Sequence, residues 1–415
     1  MTPGINPERL MAMLEQQAAI GATEGFGLAR PALSELDVQA RRWFADRVRE
    51  SGLELSMDGA GNQSVTLFSE KPDAKTLLIG SHLDTVPNGG RYDGVLGVLS
   101  GFEVLLALRD AQIQLPFHLE VINFTDEEGT LRGVLGSSAA IGHLSAEDLA
   151  AIRGGMAELE AGLGRIGSSA DALLHARRDF SRYVGYLEAH IEQGTRLETA
   201  HVDIGVVTSI VGVRSYWLTF GGEAAHAGTR PMPDRKDALW GASHLIQQAR
   251  EHVLLNFQPG VVNFGRIALE PGAFNIVPAQ VQMALEFRHG DPVILEAMED
   301  ALLTLARQSA EMFGLTLEIR SAGLIAPAPM DLAMVELIEV AAKRADLSHM
   351  RLMSFAGHDA QMLARVTPSV MFFVPCLDGV SHNPAEYCAP EDCAHAAQVL
   401  LEAVLLLAEK SGDEP

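Results

Sequence analysis

The sequence predicts an α/β protein: a mixed, largely parallel sheet interrupted by an inserted, smaller α+β unit of ferredoxin-like order. Three observations predict it. Apolar strand-like runs alternate with helical patterning between residues 53 and 124, which argues for a parallel sheet. Beyond Gly205 the pattern changes to strand, helix, two strands, helix, strand. The length of 415 residues suits two or three domains with sizeable cores.

Helical periodicity covers Pro7 to Ile20 and Ser34 to Ser51, the latter stopped by Gly52, and a strand-like stretch follows around Leu53 to Met57. Thr76 to Asp84 (TLLIGSHLD) is an apolar strand, Gly94 to Arg109 a buried helix, and Phe117 to Phe124 (FHLEVINF) a second strand ending in an acidic turn. Residues 145 to 182 read as helices, after which Tyr186 to Gly194 (YLEAHIEQG) returns to alternation. Parallel sheets place functional groups at the C-terminal ends of their strands, where the histidine-bearing and acidic turns of this chain fall.

The inserted unit is expected to comprise a strand (Val207 to Phe220), a helix (Asp234 to Val253), two strands (Val261 to Leu269, Gln280 to Arg288), a helix (Pro292 to Phe313) and a strand (Leu315 to Arg320). Ser321 to Asp331 (SAGLIAPAPMD) reads as a hinge. The expected boundaries are 1–209 and 324–415 for the larger domain and 210–323 for the insert. A helix (Asp331 to Ala345), an apolar strand (Ser369 to Val374) and an amphipathic helix (Pro390 to Glu409) close the chain.

Composition narrows the function. A formal charge of −23 repels phosphate backbones and anionic membranes, so nucleic acid and membrane are not expected partners. A small anionic substrate would need a local arginine or metal. With 47% apolar residues, no eighteen-residue apolar run and Glu8 and Arg9 where a signal peptide needs its apolar stretch, the protein is expected to be cytoplasmic. Cys376, Cys388 and Cys393 form neither a disulfide framework nor a CxxC zinc ribbon.

His82 and Asp84, two apart at a strand end, share one face, and an aspartate there can orient the imidazole for a metal. Without a metal they are a strand-end histidine near a turn aspartate. Asp93 sits in PNGGRYDG, where glycines let the backbone approach a bound group, or it is a solvated loop acid. The following GVLGVLSG lacks both GxGxxG spacing and a Walker lysine. Asp126, Glu127 and Glu128 in FTDEEG repel one another unless a cation or solvent compensates. A metal-assisted hydrolase needs two such carboxylates, one as ligand and one as proton carrier. His190 and Glu192 share a strand face, and His382 lies in a turn after Phe372 and Phe373.

Together His82, Asp93, Glu128, His190 and His382 are in order and context to converge on two cations. Imidazole and carboxylate without thiolate suit zinc, manganese, cobalt or nickel. No GxSxG elbow and no catalytic cysteine signature competes.

GSHLDTVPNGGRYDG, FTDEEG, YLEAHIEQG, AHAGTRPMPDRKDA and VSHNPAEY together resemble the dinuclear-metal amidohydrolases related to aminoacylase and glutamate carboxypeptidase. Within them the chain is similar to the branch of N-carbamoyl-L-amino acid hydrolases, allantoate amidohydrolases and beta-ureidopropionases, with His190 as the branch marker. The similarity spans nearly the whole chain. It implies two divalent ions per subunit, zinc first, with Asp93 bridging, His82 and His190 completing one site, and Glu128 and His382 the other. It makes Glu127 the proton carrier, with Asp84 supporting the site. It also implies that the insert is a lid and dimerisation domain, that the enzyme is a homodimer, and that His226 polarises the carbonyl from the neighbouring subunit. Gln193, Asn275 and Arg288 match positions that hold the substrate.

One departure stands out. Relatives continue the acidic motif as EEG-[AV]-R-F, whereas this chain reads EEGTLRGVLGS around Arg132, which bears on substrate side-chain preference. The implied reaction is hydrolysis of an N-carbamoyl-L-α-amino acid, with allantoate and N-carbamoyl-β-alanine as alternatives. A metabolite-binding regulatory module without turnover is the other class, against which stands a general base beside a metal set.

Overall fold

A computed structural model of the chain describes residues 3–412. The backbone divides into two compact units: one holds the residues up to Thr208, Met330–Leu352 and those from Ala356 onward, the other Ser209–Pro329 and Met353–Phe355.

The first unit opens with β1 (Leu55–Met57), β2 (Gln63–Leu67), β3 (Thr76–His82), β4 (His118–Phe124), β5 (Tyr183–Ile191) and β6 (Ile204–Ile210). The insert carries β7 (Gly212–Gly221), β8 (Ala225–His226), β9 (Val261–Glu270), β10 (Ile276–Val277), β11 (Gln280–His289), β12 (Thr316–Ile325) and β13 (Ala328–Pro329). The chain returns through β14 (His349–Ser354), which pairs with β6, and β15 (Ser369–Val374).

The large sheet runs β1-β2-β4-β3-β5-β15-β6-β13, with β14 off this path. Its centre is parallel: β3 pairs in parallel with β4 and β5, and β5 with β15, while β2 is antiparallel to β1 and β4, and β6 to β15 and β13. Strands covered on both faces read as continuous apolar runs, which is why TLLIGSH, HLEVINF and SVMFFV are buried almost throughout. The helix Val95–Asp110 lies between this sheet and the helices Pro7–Ala19 and Pro390–Gly412, so it is apolar on nearly every side. Asn6, Ser34 and Asp331 cap the helices that follow them by accepting backbone N–H groups.

In the second unit an antiparallel sheet of order β12-β7-β11-β9 is backed by the helices Ala238–Asn256 and Pro292–Met312. Strict alternation along β11 sends Val281, Met283, Leu285 and Phe287 into the core with Leu218, Phe220, Leu245 and Leu302. Gln282, Ala284, Glu286 and Arg288 therefore project from the opposite face.

Two details differ from expectation. The single strand expected from Val207 to Phe220 is two, β6 ending at Ile210 and β7 starting at Gly212. The stretch expected as hinge from Ser321 is strand as far as Ile325, because its backbone pairs with β7 from Ser321↔Tyr216 to Ile325↔Val213 across one irregularity. Among the described residues no helix is long and apolar enough to cross a membrane.

Candidate metal centre

The centre is assembled where the parallel strands end. β3 delivers His82, and the loop beyond it delivers Asp84 and Asp93; the turn after β4 delivers Glu127 and Glu128; β5 delivers His190; the loop after β15 delivers His382. Two triads result, His82 with Asp93 and His190, and Asp93 with Glu128 and His382, each with its donor atoms within 4.8 Å of one another. Asp93 belongs to both. Its Oδ1 lies 3.1 Å from His190 Nε2 and 3.5 Å from His82 Nε2, and its Oδ2 lies 3.5 Å from His382 Nε2. His382 Nε2 is 3.2 Å from Glu128 Oε2, and Glu127 Oε2 is 3.5 Å from His82 Nε2.

The two buried rings are held from behind. His82 Nδ1 contacts the backbone carbonyl of Asp84 at 3.0 Å and His190 Nδ1 that of Ile191 at 2.9 Å, which turns each Nε2 toward Asp93. The Asp84 carboxylate was expected to orient His82. Its oxygens instead accept the backbone N–H groups of Glu127 and Glu128, at 3.4 and 3.3 Å, and its nearer oxygen stays 3.8 Å from the ring. Asp84 thus fixes the acidic turn. Asp126 does the same from inside it, accepting the N–H groups of Thr130, Leu131 and Arg132 at positive φ. Of the three acids in FTDEEG, two face the site and one builds the loop, including the divergent TLR segment.

Burial and mutual repulsion shape the charges. Burial pushes the Glu127 carboxyl well above its ordinary range, and Glu128, Asp359, Asp93 and Asp84 add to it. Burial opposes ionisation of Asp93 too, but His190, His382 and His82 together hold it well below the usual carboxylate range. Hydrogen bonding to Asp93 and Glu128 pushes the His382 imidazole up to about 10. Beneath the acids lie two buried arginines. Arg30 donates to the carbonyls of Gln17, Ile20 and Leu83, and its backbone N–H to Thr85 Oγ1; burial brings its guanidinium down to about 10. Arg41 donates to Asp37 at 2.8 Å and to Thr125 Oγ1 at 3.1 Å.

The donor set fits divalent cations. Among the described residues His82 Nε2 is buried without a hydrogen-bond partner, an arrangement that is costly unless an electrophile takes its lone pair. The donor atoms of both triads are all imidazole nitrogen or carboxylate oxygen, suited to a borderline or hard divalent ion. Glu127, adjacent to both triads, is not needed to complete either one.

Several participants escaped the sequence reading. Ser381 donates to Asp93 Oδ2 at 2.8 Å and lies 3.1 Å from Glu386, whose other oxygen accepts the N–H groups of Tyr92 and Asp93. His358 packs edge-on against His190 with centroids 4.6 Å apart. Glu188 is fully buried and accepts from Ser81, Tyr186 and the Ala360 N–H. The His-Asp pair in FAGHDA was the available signal for His358.

Gln193, at positive φ, donates to Asp93 Oδ2 at 2.6 Å. His226, Asn275 and Arg288 belong to the second unit. There β8 and β10 pair His226 with Ile276, and the Asn275 carbonyl accepts the Ala227 N–H. His226 is exposed, and its Nδ1 accepts the Gly228 N–H at 3.0 Å.

An ionisable glutamate beside two cation-ready triads is the equipment of a water-splitting hydrolase. The chain belongs to Peptidase family M20/M25/M40, which matches residues 78–406, and is a hydrolytic enzyme acting on amide or ureido C–N bonds. Members of this family use divalent metals, in keeping with the two triads. The chain is 35% identical over 411 residues to an N-carbamoyl-L-amino-acid amidohydrolase of Rhizobium meliloti, covering 98% of this chain and 97% of the relative. It is 32% identical to the allantoate amidohydrolase of Escherichia coli K12, covering 92% and 93%. A solved amidase of the hydantoinase/carbamoylase family from Burkholderia multivorans superposes with a TM-score of 0.90 at 35% identity, covering 98% and 99%.

Proposed function

We propose that this enzyme hydrolyses N-carbamoyl-L-α-amino acids to the amino acid, ammonia and carbon dioxide. The observation that carries the reading is the pair of triads sharing Asp93 with Glu127 at their edge. The full-length likeness to an N-carbamoyl-L-amino-acid amidohydrolase supports the substrate class.

In this reading His82, Asp93 and His190 hold one divalent ion and Asp93, Glu128 and His382 the other, zinc first, with manganese, cobalt or nickel as alternatives. When bound, the ions supply Lewis acidity and lower the pKa of water. Glu127 takes the proton of the attacking water and passes it to the departing nitrogen. Burial suits it to that task, because a carboxyl with a raised proton affinity is a stronger base once ionised. Asp84 keeps Glu127 and Glu128 in register, and Gln193 orients Asp93 beside the substrate. His226 accepts the Gly228 N–H at Nδ1, so its neutral ring carries a proton on Nε2, the atom needed to polarise a ureido carbonyl. Asn275 steadies the substrate, and Arg288 takes the substrate's carboxylate through its planar fork.

The reading extends to the assembly. Residues 210–323 act as lid and dimerisation domain inserted between 1–209 and 324–415, and a homodimer shares His226 across subunits. The enzyme works in the cytoplasm on a small anionic substrate.

A panel of N-carbamoyl-L-amino acids, allantoate and N-carbamoyl-β-alanine, read by ammonia release with each of the four metals, tests the assignment. Carbamoyl-L-amino acids should be turned over fastest. Preference for allantoate or the β-amino acid would replace the substrate, and no turnover of any would sink the reading. A chelator should abolish activity, and elemental analysis should find up to two ions per subunit.

A further inference from the structure

Arg288 is held from two directions before any substrate arrives. Its Nε and Nη2 donate to one oxygen of Glu286 at 3.0 and 2.8 Å, and its Nη1 donates to the Phe355 carbonyl at 2.8 Å. Two apart on β11, Glu286 and Arg288 share the sheet face away from the helices. The Glu286 carboxylate has a second support in the Ser215 hydroxyl, 3.5 Å from its other oxygen, on the residue paired with it in β7. The Glu286 and Arg288 side chains are 36% and 35% exposed, so the pair is reachable from solvent.

A guanidinium carries five N–H donors. Among the described residues Glu286 and Phe355 engage three, leaving one on Nη1 and one on Nη2. Two donors on adjacent nitrogens suit the two oxygens of one carboxylate. Glu286 also places a negative charge against the cation, so an incoming carboxylate meets a pair whose formal charges cancel. Attraction is weakened on that account, while alignment is retained.

We propose that Glu286 is a positioning residue that aligns Arg288 for a single carboxylate and, as its fixed counter-charge, limits how tightly that carboxylate is held. The inference rests on the reading of Arg288 as the substrate's carboxylate anchor. Such a pair favours release of the product, whose carboxylate is the same as the substrate's.

Two substitutions of opposite effect test it. Glu286→Gln keeps an oxygen to accept from Nε and Nη2 but removes the charge. The apparent KM for an N-carbamoyl-L-amino acid should fall roughly two- to fivefold, the range of an exposed ion pair, and the inhibition constant of the product amino acid should fall with it. Glu286→Asp keeps the charge but draws it back by one methylene, and the same KM should rise. A carbamoyl amino acid carboxamide, lacking the anion, should show neither change. An unchanged or raised KM in Glu286→Gln would overturn the proposal; were that variant insoluble, a KM that does not rise in Glu286→Asp would overturn it. Arg288→Ala run in parallel separates the two layers. If it leaves KM for carboxylate substrates unaltered, the anchor reading itself fails. If it raises KM while Glu286→Gln does nothing, the anchor stands and only the role of Glu286 falls.

Discussion

Gly94 leaves the space that the His82 ring occupies: a Cβ built on Gly94 would lie 2.3 Å from His82 Cε1 and 2.4 Å from Nε2, at a φ of +66°. Both the sterics and the backbone conformation demand glycine there. Gly94→Ala should therefore push His82 out of its triad with Asp93 and His190, and, if that triad holds an ion as proposed, metal content per subunit should drop together with activity. Elemental analysis showing two ions in a folded Gly94→Ala protein would contradict this.

Glu127→Gln preserves shape and removes the group that the proposed mechanism uses as proton carrier. Turnover should fall roughly 10² to 10⁴-fold with metal content unchanged. Near-normal turnover would take Glu127 out of the chemistry.

Metal binding should release protons. In the metal-free protein His382 is pushed up to about 10 by Asp93 and Glu128, so at neutral pH its imidazole is charged and its ligating nitrogen blocked. An ion must displace that proton, and affinity should climb as pH rises from 6 toward 10. Calorimetric titration with zinc in buffers of different ionisation enthalpy should count at least one proton released. No buffer dependence would mean that the ring is neutral before metal arrives.

If His226 serves the neighbouring subunit, complementation follows from counting. His226→Ala and Glu127→Gln subunits, each nearly inactive alone, are mixed under exchange. Half the dimers become mixed, one of their two sites is intact, and activity should recover to roughly a quarter of wild type. Exchange without recovery would confine His226 to its own chain and leave the hydrolase assignment standing.

How far the chain's own pattern disclosed the architecture depended on the range of the interactions involved. Buried parallel strands such as TLLIGSH and FFV announce themselves because both faces must be apolar, and the residues at their ends that come together in the two triads could be located by that same pattern. Ser321 to Ile325 did not: small residues suggested a hinge, yet pairing with β7, a hundred residues earlier, makes it strand. For Asp84, spacing shows which face a side chain takes but not that a turn more than forty residues later offers it backbone donors as well. Ser381 and Glu386 went unseen for the same reason, since their meaning lies in contact with the Asp93 loop nearly three hundred residues away.

Arg30 gives the amino-terminal segment a significance that its distance from the ligands conceals. The matched family region begins at residue 78, ahead of both triads, so a protein trimmed to that point would still contain every residue of them. It would lack Arg30 and Arg41, and with them the permanent positive charge beneath Asp84 and the brace on Leu83 and Thr85. Asp84 would then face the repulsion of Asp126 and Glu128 without either buried arginine beside it. The opening residues are thus the foundation of the site, and shortening the protein from that end would dismantle it without touching a ligand.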